Sequence, residues 1–178
     1  MRRTLVVLLA LALALPAAAG RRQAFHATEA DFDCLLEWPQ VRRMRVFNAK
    51  PRQLRKAIRI LERSKPRRKL PRGTILQLVP TEAMVKAKGG FNKEGGGWEF
   101  FRLGVGPEGT TILERGGVEV SNRLTNPPAS CQNCHVAARK FDFVCETGHG
   151  CIELGIPDTI IELLQNADPR CTPGGGDE

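Results

Sequence analysis

The chain has 178 residues, a formal charge of +8, 42% hydrophobic residues, six cysteines, three histidines and no tyrosine. That size suits one domain with appendages. The balance of apolar, charged, Gly and Pro residues excludes a disordered acidic tail, a collagen-like repeat and a polytopic membrane protein.

The longest apolar run comes first. Met1-Arg2-Arg3 precedes a stretch of Leu, Val and Ala from Leu5 to Leu15, closed by Pro16 and Ala17-Ala18-Ala19. A cationic head, a short apolar stretch and a small-residue end predict a secretory signal peptide over 1–19. The run is too short to span a bilayer, which needs roughly 20 residues. Cleavage after Ala19 leaves 159 residues and lowers the charge to +6 by removing Arg2 and Arg3. The working protein is expected in the periplasm, or otherwise exported, where disulfides persist.

Residues 20–40 form a mixed N-terminal segment with Cys34 and Trp38, and Arg45-Val46-Phe47 reads as a brief strand. Pro51 opens a helix with Leu54, Ile58 and Leu61 on one stripe, which Pro66 ends. Strands are predicted over 74–79 and 98–105, and a hairpin over 110–114 and 118–122 about Gly116-Gly117. A helical stretch follows Cys131, and a last helix starts near Pro157-Asp158. The tail, 173–178, is Gly-rich. The expected class is α+β, a small antiparallel β-sheet with flanking helices.

Cys131-Gln132-Asn133-Cys134-His135 has the form C-x-x-C-H, the attachment signature of c-type haem. Two thiols add across the haem vinyl groups, and the following histidine supplies a nitrogen ligand to the iron. One covalent haem c, held by a domain over 20–172, is therefore expected. A zinc half-site completed by Cys145, His149 or Cys151 is one rival. A redox C-x-x-C is another. Neither requires a histidine directly after the second cysteine.

The other four cysteines, Cys34, Cys145, Cys151 and Cys171, allow three pairings. Cys145 with Cys151 closes a short loop, and Cys34 with Cys171 then ties the N-terminal segment to the tail. This is the favoured connectivity; another pairing or free thiols are the alternatives. For a sixth iron ligand, the methionines left after the leader are Met44 and Met84, and none follows the motif. His26 and His149 read as surface histidines. Five-coordinate iron, open to a small molecule, is the expectation.

Glu82-Ala83-Met84-Val85-Lys86, then Phe91, Glu94, Gly96, Trp98 and Phe100, resembles the distal and strand region of the cytochrome P-460 family and its beta-type cytochrome c prime relatives. Ala129-Ser130 leading into the motif, with Asp142-Phe143-Val144 after it, resembles that family's haem segment. The resemblance spans about residues 44–165 and implies a single haem in an α+β fold, often in a homodimer. It implies oxidation of hydroxylamine and nitric oxide, or binding of nitric oxide without turnover. It makes His135 the proximal ligand and Glu82 a distal carboxylate that takes protons, with Phe91, Trp98 and Phe100 walling the distal side. Enzymatic members cross-link a lysine to the haem; the matching position here is Leu78, and no lysine occurs between Gly73 and Val85. By the plainer reading, Glu82 is a solvated carboxylate and Trp98 and Phe100 are core.

Residues 42–72 carry 14 Lys or Arg against the single acid Glu62, a local charge of +13. Such a patch suits an acidic redox partner or an anionic membrane surface, although a solvated helix face is the plainer reading. Nucleic acid is not an expected partner outside the cytoplasm. A periplasmic electron-transfer cytochrome c is the alternative function.

Overall fold

Six strands form one antiparallel sheet in chain order: β1 (Gln40–Val41), β2 (Met44–Phe47), β3 (Ile75–Val79), β4 (Glu82–Lys86), β5 (Trp98–Gly106) and β6 (Gly109–Gly116). Helices α1 (Pro51–Arg63), α2 (Cys131–His135) and α3 (Asp158–Asn166) flank it, so the class is α+β. The computed structural model describes residues 25–87 and 90–171; the leader predicted over 1–19 and the tail over 173–178 lie outside the described residues. No helix among the described residues is long and apolar enough to cross a membrane.

Pro51 occupies the first turn of α1, where its missing N–H costs nothing. Ser64 stops the helix in a left-handed conformation (φ 46°), its N–H bonding the Ile60 and Leu61 carbonyls. Ala57 and Leu61 are buried beneath the helix, while Arg52, Arg55, Lys56, Arg59 and Arg63 face solvent.

Register decides which residues share a face. Val46 pairs with Leu76, Leu76 with Met84, and Met84 with Phe100, so these four point the same way. Trp98 pairs with Lys86, and Glu82 with Arg102, at alternate positions of the same two strands, so they share that face. This first face packs against α1, Cys131, Phe143 and Val144 in one core. The second face presents Ile75, Ala83, Val85, Phe101 and Leu103 to Phe32, Leu35 and Trp38 of the N-terminal segment. There the Phe32 and Phe101 rings lie 5.1 Å apart. The Cys34–Cys171 disulfide closes the second face.

One expected element is placed differently. β6 turns back from β5 at Gly106 and Gly109, not about Gly116-Gly117, and residues 118–122 form no strand. Asn122 explains the departure: its Oδ1 accepts from the N–H groups of Leu124 and Thr125, an Asx turn that leads the chain away from the sheet. A single bridge, Ser121 to Ser130, remains. In the sequence β4 stands out only through the family resemblance of residues 82–86. It is central here because alternating Ala83 and Val85 fill one face while Met84 and Lys86 fill the other.

Candidate functional site

The chain reaches the motif through Val120, whose carbonyl accepts the Cys131 N–H at 2.9 Å. Ser130 caps α2, its hydroxyl accepting the Asn133 N–H at 3.4 Å. Cys131 and Cys134, three residues apart, therefore lie on one face of the short helix. Among the described residues they are the free cysteines, Cys131 buried and Cys134 partly exposed. The other four are bonded as Cys34–Cys171 and Cys145–Cys151, the pairing the sequence favoured.

Burial, reinforced by the nearby Glu82 carboxylate, pushes the Cys131 thiol up to about 12. A thiol so raised is a poor partner for disulfide exchange, which uses the thiolate. The partners proposed for zinc are committed elsewhere. Cys145 and Cys151 are bonded to each other. His149 pairs its Nε2 with the Ser64 hydroxyl and its Nδ1 with the Val144 carbonyl, both at 2.6 Å, and stacks on Phe141.

His135 has a different environment. Its Nδ1 lies 2.7 Å from the Phe143 carbonyl, which can only accept, so Nδ1 carries the proton and Nε2 the lone pair. Burial lowers its pKa, against the opposing pull of the Phe143 carbonyl, and favours the neutral ring. Phe100 packs on the imidazole with ring centroids 5.2 Å apart. Two thiols on one helix face, a neutral histidine with Nε2 directed away from its only hydrogen bond, and an apolar setting of Met84, Phe100, Val120 and Phe143 fit a c-type haem. Among the described residues no group of three or more His, Cys, Asp or Glu side chains gathers to complete a zinc set.

The remaining expected site residues fall around this core. Glu82 is half-buried at the start of β4, and its Oε1 accepts the Arg123 N–H at 2.7 Å. Burial raises its pKa; the Arg123 N–H and the Arg102 charge only partly offset this. Trp98 is fully buried and its Nε1 donates to the Asp142 carbonyl at 2.6 Å, so it borders the loop that orients His135. Phe91 is half-buried in the turn before β5. Leu78 packs against the same core as Met84 and Phe100. Cys34, Cys171, Cys145 and Cys151 are taken up in the two disulfides. An open cleft of about 500 Å³ runs along the outer side of α2, lined by Gln132, Asn133, Val136 and Glu94 among others.

Sequence reading gave no role to several residues that build this site. Asn92 donates to the Trp98 carbonyl at 2.8 Å and to Gln132 Oε1 at 2.6 Å, pinning the turn before β5 to the motif helix. Gln132 fills a variable position of the motif, yet it is buried. Lys86 and Asp142 meet in the interior. In the sequence they stand only within the two segments that carry the family resemblance, with nothing to pair them. No protein-family model, curated protein or solved structure matches the chain.

Proposed function

We propose that this chain is an exported c-type haem protein, resembling the cytochrome P-460 family, that binds or oxidises small nitrogen oxides such as hydroxylamine and nitric oxide at five-coordinate iron. One observation carries the reading. Of six cysteines, the two in C-x-x-C-H stay free while four are paired, and the adjacent histidine keeps its Nε2 lone pair. Two disulfides accord with export.

Bound haem supplies a redox-active iron with one open position. The chain does the rest. Cys131 and Cys134 would hold the group covalently, and His135 Nε2 would ligate the iron. The carboxylate of Glu82 would accept a proton from an N–H or O–H bond of hydroxylamine and release it to solvent before taking the next, while the electrons would leave through the haem to the redox partner named below. A carboxylate with a raised pKa is a stronger base nearer neutral pH. The Arg123 N–H fixes one of its oxygens and leaves the other for substrate. Leu78 has no amine to bond the haem edge, which favours a non-cross-linked haem.

Electron transfer is the second reading, and Met84 favours it. Its thioether is buried on the same face as Cys131 and Phe100, the one methionine so placed beside Phe100 among the described residues. The absorption spectrum of the purified holoprotein separates the readings. A five-coordinate spectrum that shifts on adding nitric oxide supports the proposal. A six-coordinate spectrum in both oxidation states, lost in Met84→Ala, supports the electron carrier.

The partner we propose is an acidic redox protein. The basic face of α1 continues through the loop after it, where the Arg67 N–H bonds the Lys140 carbonyl at 2.6 Å, and so reaches Arg139 and Lys140 just after the motif. A docked acidic surface would lie beside the haem segment. The resemblance also implies a homodimer. Ile160, Leu163 and Leu164 of α3, exposed here, offer it apolar surface. Sedimentation would report that state directly.

A further inference from the structure

Asp142 and Phe143 both hold left-handed backbone, with φ of 57° and 67°. For a bulky residue such as phenylalanine this conformation is strained and persists only where its surroundings enforce it. The surroundings here come from three separate places in the chain. Asp142 is 1% exposed. Its Oδ1 accepts from Lys86 Nζ at 2.7 Å and lies 3.0 Å from Lys69 Nζ, and its Oδ2 accepts the Leu70 N–H at 2.8 Å. Its own carbonyl accepts Trp98 Nε1.

Lys86 is itself buried and gives a second bond to the Gly96 carbonyl at 2.8 Å, with its ammonium 4.8 Å from the Trp98 ring centroid. Gly96 is glycine for a reason: a Cβ there would lie 2.3 Å from the Phe143 ring. A buried ion pair of this kind is weak evidence for stability; here it joins the Leu70 N–H and Trp98 Nε1 in holding the Asp142 backbone. The geometry it fixes has one outward consequence. The Phe143 carbonyl is aimed at His135 Nδ1, 2.7 Å away.

We infer that Asp142, clamped by Lys86, Trp98 and the Leu70 N–H, is a positioning residue for His135. It holds the Phe143 carbonyl where it takes the Nδ1 proton, and so sets the direction and electron-donating strength of Nε2. This rests on the haem reading above. Partners of a metal-bound histidine tune a site in this way, with losses of about 10–100-fold in metal affinity or activity when they are removed.

The test is Asp142→Asn in the holoprotein, with Lys86→Met beside it. The readouts are the ferrous iron–histidine stretching frequency and the midpoint potential. A weakened Nδ1 bond makes Nε2 a poorer donor. The expected result is a lower stretching frequency and a ferrous-to-ferric ratio raised about tenfold, ~59 mV for a one-electron couple. Trp98→Phe keeps an aromatic side chain while deleting the N–H bond to the Asp142 carbonyl and part of the ring; it should shift both readouts the same way by less, and it serves if Asp142→Asn does not fold. Unchanged frequency and potential in the folded variants would overturn the inference while leaving the haem reading intact. If the wild-type chain carries no covalent haem, the haem reading fails. The clamp is then still read from the ¹⁵N shifts of His135 in the haem-free chain, where Asp142→Asn should erode the Nδ1–H tautomer and an unmoved tautomer would reject it.

Discussion

On the second face of the sheet, the buried carboxylate of Asp168 meets Arg170, two residues away in the same terminal turn; on the first face, that of Asp142 meets Lys86, a strand residue distant in sequence. The local pair closes the molecule. Arg170 also donates to the Phe32 carbonyl, Asp168 accepts the Leu35 N–H, and the adjacent Cys171 is bonded to Cys34. The distant pair shapes a strained loop whose carbonyl faces His135. Two buried acid–base pairs of similar composition thus serve different ends, and the difference lies in what each one's backbone holds.

If the second face is a tether, its loss should cost stability and leave the site alone. Removing Cys34–Cys171 as the double alanine variant opens a loop with a separation of 137 residues, worth ~5 kcal/mol in the chain-entropy picture. Urea unfolding should record that loss with haem content unchanged; a fall in haem content of the folded protein would merge the two faces into one unit. Arg170→Met comes next, at ~3–5 kcal/mol, because it strands a buried carboxylate. It also carries a pH signature. Burial alone would raise the Asp168 pKa, but the Arg170 side chain and the Leu35 and Arg170 N–H groups hold it below its ordinary value. Its contribution is therefore full above the unfolded carboxylate pKa and lost as pH falls through the folded value. In Arg170→Met that acid limb should flatten.

Glu82→Gln probes the first face. Hydroxylamine oxidation should fall by about 10²–10⁴-fold with little change in stability. In the wild type the rate should rise with pH through an apparent pKa above the ordinary carboxylate value, since burial raises that of Glu82. Undiminished turnover in Glu82→Gln would remove the base from this account. The smallest effect belongs to the paired substitution Arg52→Glu and Arg59→Glu. Both are exposed, so stability should move by less than about 0.5 kcal/mol. Reduction by an acidic redox protein should slow and lose its dependence on salt; a rate insensitive to salt in the wild type would dismiss the docking surface.

Local signals were legible in the sequence. Pro51 and the Leu54, Ile58 and Leu61 stripe marked α1, and the motif marked α2. The short spacing of Cys145 and Cys151 favoured the observed cysteine pairing once two of the six were set aside, with other pairings left open. What stayed hidden depends on register and on long-range contact. The hairpin about Gly116-Gly117 was misplaced because Asn122 draws the chain into a side-chain turn, a preference that outweighs alternating apolar residues over a few positions. Nothing in the sequence pairs Lys86 with Asp142, which stand in two separate segments. Only the pairing of β4 with β5 and the fold-back of the loop after α2 bring them together.

The central claim is that Cys131, Cys134 and His135 hold a covalent haem. Expression in a host able to mature c-type cytochromes, followed by a pyridine haemochrome spectrum of the denatured, acid-acetone-washed protein, tests it directly. The account predicts one haem c per chain in the wild type, retained through denaturation, and none in the Cys131→Ala, Cys134→Ala double variant. A wild-type chain that emerges without covalent haem, or a double variant that keeps it, would contradict the claim.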